Sequence, residues 1–349
     1  MANNHYSKNK YYTRITLIAT LLALVVIGLG AYTRLKDAGL GCPDWPGCYG
    51  RLVVPETPTA IQKADRLYPA EPVQPSKAWP EMVHRYFAGT LAVVILGLAG
   101  WSLARRRHDP TQPLLIPLLL VAIVVFQAAL GMWTVTLELL PLVVMGHLLG
   151  GMTIAALLWW LTLRSADALR SQTITLSHFR PWAALGLLIL AAQIFLGGWT
   201  TANYSSLACA HFPFCQGRLF PHLELSRAFN FLSPIGTDYQ GGVLGIAARI
   251  TIQMFHRYGA FITAGYLGIL AICLMTSQTM GRLRGLGWTM FTLLWLQFCL
   301  GVMNVELLLP LPVAIAHNLV AALLLLTMVS LIYKLYSQTS MSNGIYQRG

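Results

Sequence analysis

Four histidines stand out by type and position: His84, His147, His256 and His317. Each lies in an apolar run long enough to be a buried helix. Two imidazoles on facing helices of a bundle can hold one haem iron between them as axial ligands. Ionisable groups inside a bilayer are costly, so they usually face the bundle interior and mark function. For a single such histidine, a hydrogen-bonded core role is about as common as ligation. Four at matching positions favour ligation and give two haem sites. Zinc is the weaker option, because its sites recruit Cys or carboxylate ligands at close spacing. His5, His108, His178, His211 and His222 fall in loops or tails and read as solvated, with the role of His211, inside a cysteine loop, left open.

The positions match because the chain repeats. Glu81-Met-Val-His84-Arg85-Tyr86 aligns with Gln253-Met-Phe-His256-Arg257-Tyr258, 172 residues on. His147 aligns with His317, Gln127 with Gln297 and Gly131 with Gly301, all at an offset of 170. Cys42…Trp45-Pro46…Cys48…Gly50 aligns with Cys209…Phe212-Pro213…Cys215…Gly217, at 167. The order is kept and the offset is nearly constant, which marks an internal repeat.

The elements that must carry these residues are apolar helices. Only 10% of the residues are charged and 56% are hydrophobic, far from the roughly 25% charged of a soluble domain. Eight runs are long enough to cross a hydrocarbon core: about 15–34, 82–104, 114–136, 141–163, 181–202, 246–276, 285–305 and 312–336. The first follows Lys8, Lys10 and Arg14 without a clear cleavage site, so it reads as a retained helix and not a signal peptide. Four spans per half insert both halves the same way up, a parallel repeat. The expected fold is therefore an all-α membrane protein, eight transmembrane helices arranged as two tandem pseudo-symmetric four-helix bundles, residues 1–170 and 171–349.

The net charge of +12 has a topological cause. Lys8, Lys10, Arg14, Arg105, Arg106, Arg107, Arg164, Arg170, Arg180, Arg282, Arg284, Lys334 and Arg348 fall on one side, with only Asp109 and Asp167 as acids. The positive-inside rule makes that side, with both termini, cytoplasmic. No basic stripe interleaves with aromatics, which argues against nucleic acid as a partner. The long loops 35–80 and 203–245 then lie outside. The first is proline-rich and is expected to resist regular structure. The four histidines each fall in the first turns of a helix that starts outside, roughly 5–15 Å below its outer end.

Several neighbours refine the site. Arg85 and Arg257 follow two of the histidines and either pair with haem propionates or snorkel to the interface. Cys42/Cys48 and Cys209/Cys215, each C-x5-C in an outer loop, read as disulfides, with a redox role open for the first pair. Cys273 and Cys299 read as buried, inert thiols. Glu138 and Glu306 read as acids at the starts of the following helices. Glu81 breaks the symmetry, because its mate is Gln253. It shares a helix face with His84. A carboxylate beside a haem site can move protons or stabilise positive charge, and an amide cannot. The plainer reading is an interfacial glutamate in water.

These residues together resemble the haem A synthases of bacteria and mitochondria. The motifs are Thr33-Arg34-Leu35…Gly39-Leu40…Cys42-Pro43-Asp44-Trp45-Pro46, Glu81-x-x-His84-Arg85, Gly131-x-x-Thr134…His147, Gly197-Gly198-Trp199-Thr200, His256-Arg257 and His317. The paired loop cysteines are similar to the bacterial members that carry them. The resemblance implies oxidation of the C8 methyl of haem O to a formyl group, giving haem A for a terminal oxidase. It implies haem b on His256 and His317, substrate haem at His84 and His147, and Glu81 as the important glutamate. It also implies the bacterial inner membrane, with membrane lipid, a haem O synthase and terminal oxidase assembly as partners, and leaves a homo-oligomer open. A dihaem b-type, quinone-linked electron-transfer protein is the first alternative, and a transporter or scaffold with structural histidines the second.

Overall fold

The computed structural model describes residues 10–166, 179–277 and 281–337. Lys8, Asp167, Arg170, Arg348, His5, His178, the boundary at 170/171 and the side chain of Arg282 lie outside the described residues. The described chain is helical: α1 (Lys10–Leu35), α2 (Pro58–Leu67), α3 (Pro75–Arg106), α4 (Leu115–Thr136), α5 (Pro141–Ser165), α6 (Arg180–Ala202), α7 (Leu225–Ala228), α8 (Ile246–Thr276), α9 (Arg284–Glu306) and α10 (Leu311–Ser337). All but α2 and α7 are long and apolar enough to cross a membrane, eight spans in all. Their outward faces carry exposed Leu21, Val93, Val125, Ile262 and Trp295, as a lipid-facing surface requires.

Two elements depart from expectation. The proline-rich loop contains α2, because Pro58 occupies the first turn, where its missing N–H costs nothing, and the Thr57 hydroxyl accepts from Ala60 N at 3.3 Å. Helix α3 begins at Pro75 and not near 82, since its first turns are too polar to register as part of an apolar run.

The long helices pack into two closed rings. α1 touches α3 and α5, and α4 touches α3 and α5; likewise α8 touches α6 and α9, and α10 touches α6 and α9. Between the rings α5 meets α10, α1 meets α10, and α5 meets α6. Exchanging α1 with α6 and α5 with α10 maps these contacts onto themselves, as a two-fold relation between the halves demands. Lipid gives little hydrophobic drive to helix association, so close packing and interhelical hydrogen bonds matter more. Trp159 Nε1 donates to Ser330 Oγ at 2.7 Å across α5 and α10. At the loop-rich end, Arg34 donates to the Thr201 carbonyl at 2.8 Å and its guanidinium lies 3.9 Å from the centre of the Tyr204 ring. Tyr239 N, from the second long loop, reaches the Glu138 carbonyl at 3.1 Å.

The repeat extends to backbone detail. α1, α4, α6 and α9 all end through a left-handed residue, at Asp37, Glu138, Tyr204 and Leu308. The next N–H of each then bonds back to Thr33, Thr134, Thr200 or Asn304 at 2.8–2.9 Å. This is the helix stop that usually employs glycine. Four side chains held there place the loop after each helix in the same way.

Candidate functional site

α3, α5, α8 and α10 each bring one histidine to the end where those four helix stops gather. His84 and His147 face one another with ring centroids 6.3 Å apart. One metal ion bound by both rings, with metal–nitrogen bonds of about 2.0 Å and about 1 Å from each nitrogen to its ring centre, would set them about 6 Å apart. His256 and His317 line a common cavity of about 180 Å³, walled by Leu148 and Met152 from the first half and by Leu190, Ala260 and Phe298 from the second. Among the described residues no three His, Cys, Asp or Glu side chains gather to hold a metal ion.

Each ring is seated on a glycine of a neighbouring helix. Gly30 lies against His84, Gly131 against His147, Gly197 against His256 and Gly301 against His317, where a Cβ would come within 3.0–3.4 Å of the ring Cε1. The glycines recur at the repeat offsets and set how closely the imidazole can approach the helix. Gly197→Ala is therefore expected to push His256 off its seat and destabilise the protein by about 1–3 kcal/mol. A thermal or denaturant midpoint equal to that of the parent protein would count against this. The Nδ1 atoms of His84, His147 and His317 are buried without a hydrogen-bond partner. The backbone at Val26, Gln127 and Gln297 lies within reach of these three rings. Paired imidazoles and an apolar cavity fit a haem iron better than a filled core.

Glu81 is buried, 5% exposed, so it is not an interfacial group in water. Its Oε2 accepts from Cys42 N at 3.0 Å, and its other oxygen pairs with Arg85. Gln253 holds the same place in the second half: its Oε1 accepts from Cys209 N at 2.7 Å and its Nε2 donates to Ser206 O at 2.6 Å. Both arginines clasp the disulfide loops. Arg85 donates to the carbonyls of Asp44, Pro46 and Gly47, and Arg257 to those at the equivalent positions, His211, Pro213 and Phe214. Arg257 bonds Cys209 O at 3.0 Å where Arg85 meets Glu81, and its Nε is buried without a partner. Under the first loop, Tyr49 is buried near Glu71, Asp65, Glu81 and Asp44; burial, then these charges, push its hydroxyl up to about 12.

The profile of the COX15-CtaA family, described as cytochrome oxidase assembly protein, matches residues 13–329, a stretch that includes all four histidines and Glu81. The chain belongs to the cytochrome oxidase assembly protein family. It is similar to a protein of Shewanella oneidensis named heme A synthase, 44% identical over 95% of this chain and 98% of the relative. It is also similar to proteins of that name from Alkalihalophilus pseudofirmus, 26% identical over 78% and 85% of the two chains, and from a Chelativorans species, 26% identical over 91% and 89%. With eight apolar helices, this family member is a multi-pass membrane protein.

Within the family frame, other residues find their places. Cys42 pairs with Cys48 and Cys209 with Cys215. Cys273 is exposed and Cys299 half-buried, not buried as expected, because they lie on outward helix faces that lipid covers. Glu306 does not start α10. It ends α9, and its carboxylate accepts from Phe212 N at 2.7 Å, holding the second disulfide loop. Sequence reasoning missed Gly30 as a seat and Gln193 as a neighbour of His256. Aligning α1 with α6 at the cysteine offset of 167 would have paired Gly30 with Gly197.

Proposed function

We propose that this chain is a haem A synthase, oxidising the C8 methyl of haem O to a formyl group to give haem A for a terminal oxidase. The observation that carries the reading is the relative of that name matched over nearly the whole chain. Haem b is the resident cofactor, on His256 and His317 in the C-terminal half, residues 171–349. The substrate haem O sits at His84 and His147 in the N-terminal half, residues 1–170. The cavity between His256 and His317 supports the first assignment and the 6.3 Å separation of His84 from His147 the second. When bound, an iron porphyrin supplies the one-electron and oxygen chemistry.

The protein's own groups do the rest. The imidazoles would hold iron, the helix walls exclude water, and among the described residues Glu81 is the carboxylate held buried on the same helix as His84. We assign it the role of moving a proton or steadying positive charge near the reacting methyl. Arg257 borders the cavity and keeps a free buried Nε, which suits it to a propionate; Arg85 is its counterpart in the first half. The basic residues at Arg14, Arg105, Arg106, Arg107 and Arg284 support cytoplasmic termini in the bacterial inner membrane, with the haem sites towards the outer face. An apolar substrate points to handover from a membrane-bound haem O synthase, with terminal oxidase assembly as the destination.

An absorption spectrum of the purified protein, followed by extraction and chromatography of its haems, tests the reading. Low-spin haem bands, with haem O or haem A beside haem B, are expected. A colourless protein sinks the haem assignment, and haem B alone, in cells that make haem O, sinks the synthase.

A further inference from the structure

We propose that Gln193 is the positioning residue that fixes His256 as an iron ligand, retains the haem there and lowers its reduction potential. This rests on the haem b reading above. Gln193 Nε2 lies 3.0 Å from His256 Nδ1 and donates to the His256 carbonyl at 3.0 Å. Gln193 stands one helical turn before Gly197, which seats the same ring, so a single face of α6 grips the imidazole at two points. Gln193 Oε1 is buried with no partner.

The repeat shows that this grip belongs to one half. The position equivalent to Gln193 is Val26, which has no polar side-chain atom. The room differs in step with it. A side chain at Gly259, on the turn after His256, would collide with Gln193 Oε1, and the equivalent of Gly259 is Phe87. The second pair of glutamines also differs between the halves. Gln297 Nε2 lies 3.2 Å from His317 Nε2, not from its Nδ1, whereas its mate Gln127 turns to the Gly146 carbonyl at 3.4 Å, into space left open by Gly150. The equivalent of Gly150 is Val320. Both histidines of the second half therefore touch an amide. In the first half, Val26 and the turned-away Gln127 offer none.

The chemistry follows from ligation. An imidazole that gives Nε2 to iron keeps its proton on Nδ1 and needs an acceptor there. A half-turn of the Gln193 amide would bring its unpaired Oε1 to Nδ1–H, in exchange for the bond that Nε2 gives the His256 carbonyl. An acceptor on Nδ1–H makes the imidazole a stronger donor, which favours the oxidised iron and holds the ring's orientation. A resident cofactor gains from that grip. A haem that must enter and leave at each turnover does not, and its histidines lack a side-chain amide of this kind.

The full-length purified protein tests this with Gln193→Val, which copies the first half, and Gln193→Glu, which keeps an acceptor. Redox titration and EPR of the low-spin haem b are the readouts, with transfer of haem to an external acceptor protein as a third. In Gln193→Val the midpoint is expected to rise, the g values to shift, and haem retention to weaken by about 10-fold or more. Gln193→Glu is expected to keep a midpoint at or below that of the parent. An unmoved midpoint and spectrum in Gln193→Val overturns the proposal, as does a rise in both variants. If the valine variant fails to accumulate, a raised midpoint in Gln193→Glu alone overturns it. A parent protein without low-spin haem b fails the functional reading itself.

Discussion

Replacing Glu81 with glutamine is expected to cut haem A formation by about 10²–10⁴-fold, the usual worth of a positioned acid or base, while the protein still folds and keeps the haem of His256 and His317. The second half shows why folding survives. There Gln253 occupies the matching position and its Oε1 accepts from Cys209 N at 2.7 Å, as Glu81 accepts from Cys42 N at 3.0 Å. An amide can thus hold a disulfide loop on this frame. Breaking a buried ion pair often costs about 3–5 kcal/mol, because a charge is left uncompensated. Arg85 is not left so: the carbonyls of Asp44, Pro46 and Gly47 still receive its donors. The loss should fall nearer the about 1–3 kcal/mol of one charged hydrogen bond.

That difference in size makes the experiment decisive. A catalytic defect of two or more decades with intact low-spin bands and a modest drop in melting temperature assigns Glu81 to chemistry. Loss of the bands together with activity would assign it to architecture. Gln253→Glu is a useful reciprocal. It adds a carboxylate where Arg257 already bonds Cys209 O at 3.0 Å, and it is expected to leave haem A formation within a few fold of the parent.

The two levels of description differ in what they could reach. Hydropathy located eight spans because a bilayer demands long apolar runs and tolerates little else. The histidines were legible because a costly residue recurring at a constant offset is hard to explain as packing. The seats were not: Gly30 is one small residue in a helix rich in them, and nothing local marks it as the floor under His84, far along the chain. Gln193 was hidden for the opposite reason, since its partner in the repeat is an ordinary valine. The arginines could be placed beside the histidines, yet their hold on the loops depends on how Asp44–Gly47 and His211–Phe214 fold back, which no helical period encodes. Helix α2 escaped because proline breaks helices everywhere except in the first turn, where Pro58 stands.

Substituting the four histidines one at a time should separate the two sites. His256→Ala and His317→Ala are each expected to abolish the low-spin haem b, and haem A formation with it. His84→Ala and His147→Ala should keep that haem and lose only the conversion of haem O. The stabilities should divide in the same way. A ligand present at about 1,000 times its dissociation constant stabilises the folded state by about 4 kcal/mol. Protein purified without substrate should therefore melt earlier when His256 or His317 is lost, and little changed when His84 is lost. The cavity side reinforces this. His256→Ala also strips the partner from Gln193 Nε2 on the ring side, leaving that amide only the His256 carbonyl. His84→Ala strands no amide, because Val26 faces it. If all four variants lose the same haem, the pairs do not act separately and the division of labour between the halves is wrong. If the first-half variants alone lose the low-spin bands, the resident and substrate sites are exchanged, and Glu81 then stands beside the electron carrier instead of the reacting methyl.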